Sequence, residues 1–167
     1  EGSTGREAAD LAIRAAQRLL QAGRVDEGLG AARRAFELLD LPWSTTRPRV
    51  LMRLLYDRAA VAWMGFDVPE ARPGSVSDEE QAALDALKRL SVPLAWADFL
   101  RAAEIVTRHT RLALGTGEPE HLAYALSSEG CLRAMQEAPR AKTDDLFAKA
   151  GVWQKKVGSA ELEAHMN

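Results

Sequence analysis

The sequence predicts an all-α fold: a right-handed stack of antiparallel helix pairs, about seven to eight helices in all. Three observations predict it. Apolar residues recur at three- and four-residue spacing along most of the chain, and the strict alternation of a half-buried strand is nearly missing. Glycine and proline punctuate the pattern, so that helix, short turn and helix repeat in units of about 35 to 50 residues. Such units do not bury their apolar faces alone, and stacking on neighbours solves that. An irregular helical bundle is the competing architecture.

In the first segment Ala8, Leu11, Ala12, Ala15, Ala16, Leu19 and Leu20 mark one face of an amphipathic helix, which Gly23 stops as a C-terminal cap. A second helix turns Leu29, Ala32, Phe36 and Leu39 inward and ends before Pro42. The intervening loop of about three residues makes these two helices antiparallel. Pro48 opens a third helix, whose expected apolar stripe is Leu51, Leu54, Leu55, Ala59 and Ala62, running to about Gly65. The loop 66–76 holds Pro69, Pro73 and Gly74, and Ser77 with Glu80 forms a capping box that starts the fourth helix. Pro93 is expected to interrupt the pattern, with a long helix running on toward Leu114. Gly115-Thr116-Gly117 turns into a helix that opens at Pro119 and carries Leu122, Ala125, Leu126 and Leu132. Pro139 ends that segment, and Thr143 with Asp144 and Asp145 opens the seventh helix. Gly158-Ser159 is expected to turn into a last fragment.

Bulk composition bounds the function. The 167 residues are 47% hydrophobic and 28% charged, which is a globular balance. A net charge of −2 and a pI near 6.0 give no basic footprint for nucleic acid. No run reaches the roughly 18 apolar residues of a membrane span. One cysteine, Cys131, excludes an intrachain disulfide and fits a reducing cytoplasm. Residues 1–5 read as a linker or cloning remnant, and residues 6–167 as a single helical domain cut from a larger protein.

The segment from Ala16 to Leu29, with Gly23-Arg24-Val25-Asp26-Glu27 at its turn, resembles a tetratricopeptide repeat, although the repeat's first-helix tryptophan and tyrosine are missing. A wider stretch, Gly23 to about Arg133, is similar to the helical region of large bacterial serine/threonine-protein kinases that carry an AAA-type ATPase module. The residues that carry this resemblance are Arg24 to Leu29, the arginine-rich third helix with Arg49, Arg53 and Arg58, Gly65-Phe66-Asp67 and Asp78-Glu79-Glu80. It continues through Ala95 to Phe99, Arg108 to Leu114, Gly117-Glu118-Pro119 and Ala123 to Leu126. The sequence contains no kinase glycine-rich loop, His-Arg-Asp or Asp-Phe-Gly motif, and no phosphate-binding Gly-x-x-x-x-Gly-Lys-Ser/Thr loop. What the resemblance implies is a sensor or scaffold role in such a parent, with the ATP chemistry elsewhere.

No residue pattern points to catalysis, a cofactor or a metal. No two of His109, His121 and His165 lie three or four residues apart, as a helical metal pair requires. His109 reads as a surface or inter-helix histidine, and His121 as solvent-exposed. Cys131 reads as a small buried hydrophobe rather than a reactive thiol. Ser127-Ser128-Glu129-Gly130 lacks the Gly-x-Ser-x-Gly context of a hydrolase. Trp63 and Trp96 are expected in the core, and Trp43, beside Pro42, at the surface.

The arginines of the third helix give it a positive face, as do Arg101, Arg108 and Arg111 together; either suits an acidic peptide, or solvated arginines covering apolar surface. The candidate interaction surface is therefore Trp43, Arg49, Arg53, Arg58, Arg108, His109, Arg111 and Tyr124. The expected function is a cytoplasmic protein-interaction or regulatory module. Its partner is a protein, a peptide or another domain of the parent chain, not nucleic acid or membrane. A homodimer through an exposed terminal helix face is also expected. The alternative is a small-molecule sensor with a pocket near Trp96, His109 and Tyr124. An enzyme would need His109, Cys131 and a carboxylate to converge from separate helices.

Overall fold

A computed structural model describes the backbone of residues 2–67 and 76–166, and the side chains of residues 5–67 and 76–158. Among the described residues every element is helical: α1 (Gly2–Gln21), α2 (Val25–Leu38), α3 (Arg47–Met64), α4 (Asp78–Ala97), α5 (Phe99–Thr116), α6 (Pro119–Met135) and α7 (Arg140–Met166). α1 takes in Gly2 to Gly5, and Pro69, Pro73 and Gly74 lie outside the described residues. The stretch expected as one domain gathers into two compact units, one of Glu1–Ala59 with Ser77–Arg108, the other of Ala60–Val76 with His109–Asn167. The division falls within α3 and within α5.

In the first unit α1 packs on α2 and on α4. The buried side of α1 is Ala9, Ile13, Ala16 and Leu20, a stripe rotated from the expected one, which leaves Leu11 and Ala15 outside. Gly23, at φ +75°, closes the helix: its N–H donates to Leu20 O at 3.1 Å and the Arg24 N–H donates to Leu19 O at 2.9 Å. The return helix comes very close. A Cβ on Gly28 would sit 2.6 Å from Leu20 Cγ, so only glycine fits at the crossing. Ala32, Ala35 and Phe36 continue the buried side of α2. Asp40 takes the left-handed conformation at φ 52°, and the Leu41 N–H donates back to Phe36 O at 2.8 Å, a helix end with no glycine to announce it.

α4 starts at the expected capping box, where Ser77 Oγ accepts from the Glu80 N–H at 3.2 Å and a Glu80 carboxylate oxygen accepts from the Ser77 N–H at 2.9 Å. Its core side is Leu84, Leu87, Leu90 and Leu94. Pro93 does not interrupt it, contrary to expectation, and the break falls at Asp98. A proline in mid-helix leaves the carbonyl four residues back without its donor. Here that carbonyl is Arg89 O, and Gln17 Nε2 of α1 donates to it at 3.0 Å. The Arg89 side chain reaches back to Asp10 Oδ1 at 2.5 Å, so α1 meets both ends of one residue of α4.

α3 reverses the expected polarity. Val50, Asp57 and Val61 are its buried positions, while Leu51, Leu55, Ala59 and Ala62 of the expected stripe are exposed and Leu54 is half-buried. Trp63 and Trp96 are likewise not core residues; each is 90% exposed.

In the second unit α6 packs on α7. Gly117, at φ +73°, ends α5; Glu118 then caps α6, accepting from the His121 N–H at 2.8 Å, with Pro119 in the first turn. Leu122, Ala125 and Leu126 meet a core that also holds Leu146, Ala150 and Trp153. α7 opens at Arg140, one turn before the expected Thr143-Asp144-Asp145, and runs through Gly158 without the expected turn.

Candidate functional site

Among the described residues three places are candidates for a functional site. The first is a buried ion network in the first unit. Glu104 and Arg108 lie four apart on α5, which puts both on one helix face, with Arg108 Nη2 donating to Glu104 Oε1 at 2.5 Å. Arg53 of α3 brings Nε to 3.8 Å from the same oxygen. Burial pushes the Glu104 carboxyl up, against the pull of Arg108 and Arg53, and the negative field of Asp57 adds to the rise. Burial likewise pushes the Arg108 guanidinium down, while Glu104 and Asp57 hold it up.

The arginines of this network also serve the backbone. Arg108 donates from both Nη atoms to Pro42 O at 3.0 Å, and Arg101 Nη1 donates to Ser44 O at 2.8 Å. Two arginines one heptad apart on α5 thus clamp the α2–α3 loop. Trp43 lies between these contacts, edge-on to Phe36 at 5.0 Å and beneath the Arg101 guanidinium at 4.2 Å.

The second place is a histidine pair in the second unit. His109 Nε2 and His121 Nδ1 are 3.0 Å apart, one donating and the other accepting, and Tyr124 meets His109 edge-on at 5.2 Å. Both imidazoles are fully buried: of the two places expected for His109 the structure has the inter-helix one, and the expectation of an exposed His121 is corrected. Their sequence separation of twelve residues gave no sign of the pairing, because the turn at Gly117 folds α6 back beside α5.

The third place is the outward face of α3. Leu51, Met52, Leu55 and Tyr56 are 45, 71, 60 and 67% exposed, all within the first unit. Arg47 and Arg49 are exposed beside them at the helix start.

The expected interaction surface is therefore not one surface. Arg49 is exposed and Arg53 and Arg58 are half-buried on α3, but Arg108 and His109 are buried and do not meet solvent. Trp43 is half-buried under Arg101 rather than free at the surface. Arg111 and Tyr124 are half-buried in the second unit. Cys131 is exposed, the reverse of its expected burial. The residues that sequence reasoning missed are Met52 and Tyr56, and the signal was present: they extend the leucine stripe of α3 by one position on the wheel.

Among the described residues no group of three or more His, Cys, Asp or Glu side chains is placed to hold a metal ion, and no helix is long and apolar enough to cross a membrane. No family model, curated protein or solved structure matches this chain.

Proposed function

We propose that the chain is a non-catalytic protein-interaction or regulatory scaffold module that works in the cytoplasm. The observation that carries the proposal is the outward apolar face of α3. Keeping large apolar side chains in water forgoes about 25 cal/mol per Å², and a contiguous patch of them on one helix marks a contact surface. On the sequence resemblance alone, we place the module in a larger bacterial signalling protein with kinase and ATPase modules. A small-molecule sensor has less support, since Trp96 is exposed and His109 is sealed from solvent.

The test is a photo-cross-linking residue at position 52 in the source cells, beside a control at Gln154, which is exposed on α7. A protein adduct specific to position 52 and lost in Leu55→Asp supports the module. Equal adducts at both positions, or none at position 52, count against it.

A further inference from the structure

The α3 face also indicates the chemistry of its partner, if the interaction reading above holds. At about 100° per residue, Leu51, Met52, Leu55 and Tyr56 span one arc of about 140°. Arg49 borders that arc just beyond Tyr56, and Arg47 and Arg58 border it beyond Leu51. The strip is thus apolar in the middle and cationic along both edges, on a chain whose net charge is −2. Local folding does not account for Arg47 and Arg49. The first turn of α3 holds Arg47 and Arg49 and no acidic residue, although the positive end of a helix disfavours cations there.

We infer that this face docks an acidic amphipathic helix of a partner protein. Such a helix covers the strip with apolar side chains at i, i+3, i+4 and i+7 and sets Asp or Glu against the exposed Arg47 and Arg49, one on each edge. A second copy fits less well, because pairing the same face across a two-fold axis brings like-charged edges together. An anionic membrane also fits less well, since polybasic lipid sites use about four to eight Lys or Arg, and three border this strip. Met and Tyr in the strip's centre are residue types that protein interfaces favour.

The experiment uses the whole chain and two designed peptides with one shared leucine stripe, one flanked by Glu and the other by Lys. Binding is read by fluorescence anisotropy. The Glu peptide binds at least about tenfold tighter at low ionic strength, and the margin narrows as salt is added. Arg49→Glu removes the preference and Arg49→Lys retains it. A glutamate in the first turn suits the helix dipole, so lost binding in Arg49→Glu does not come from unfolding. Met52→Asp abolishes binding of both peptides.

Equal affinity for the two peptides, or no affinity for either, overturns the acidic-helix proposal. So does tighter binding to phosphatidylserine vesicles, or a concentration-dependent dimer that Met52→Asp dissolves. A position-52 protein adduct in cells combined with equal peptide affinities sinks this inference and leaves the interaction reading standing.

Discussion

At the scale of single residues, the chain's most consequential choice is a buried carboxylate facing two arginines. Removing one partner of such a pair strands the other charge, which typically costs about 3–5 kcal/mol, whereas replacing both by apolar groups is often nearly neutral. Glu104→Leu is therefore expected to lose about 3–5 kcal/mol in urea denaturation. The double variant Glu104→Leu with Arg108→Met should recover most of that loss. Pro42, whose carbonyl Arg108 holds, is exposed, so water can take over that hydrogen bond. If the double variant is as unstable as the single one, Arg108 acts mainly through the loop and not through Glu104. The same network explains Trp43: a loop tryptophan beside a proline looks like surface in sequence, yet Arg101 and Phe36 hold it between them.

At the scale of elements, helix crossings are set by where a side chain is missing. Gly28 and Gly130 both face a neighbouring helix, but what they face differs. A methyl at position 28 would press on Leu20 down to its backbone nitrogen, 3.1 Å away, in the tight α1–α2 crossing. At position 130 it would meet the ring edge of Phe147 at 3.0 Å, and Phe147 is 42% exposed and free to swing. Alanine gains up to about 1 kcal/mol over glycine in a helix interior, while overpacking costs about 1–3 kcal/mol. Gly28→Ala is thus expected to lower Tm, by a net loss of up to about 2 kcal/mol once the full propensity gain is subtracted. Gly130→Ala should leave Tm unchanged or raise it. A stabilised Gly28→Ala variant would show that the two helices part more easily than their packing implies. Pro93 belongs at this scale too, since its helix continues only because Gln17 of another helix takes up the carbonyl it leaves.

At the scale of the whole molecule, the α1–α4 seam ties stability to pH. Hydrogen bonds from Arg89 and then Arg14 hold the Asp10 carboxyl below its ordinary value. A carboxyl lowered in the folded state contributes stability above its unfolded value, near pH 4, and loses it as pH falls through the folded one. Wild type is therefore expected to exceed Asp10→Asn by about 0.5–1 kcal/mol at neutral pH. That difference should vanish in denaturant titrations as the solution is acidified below about pH 4. A difference that persists at pH 2 would mean that the Asp10 contacts do not depend on its charge.

The helix content, most helix ends and the pairing of α1 with α2 are legible from residues alone, because capping boxes, proline at first turns and glycine at Gly23 act through the nearest few residues. The side of each helix that faces inward is another matter. Periodicity finds a stripe on α3 but does not say whether protein or solvent lies against it, and here an ion network draws Arg53 and Asp57 inward and leaves Leu51 and Leu55 out. The burial of His109 against His121, the exposure of Trp63 and Trp96, and the tolerance of Pro93 depend likewise on partners distant in the chain. Local rules set where helices begin and stop; which face is buried depends on long-range packing that no window of neighbouring residues contains.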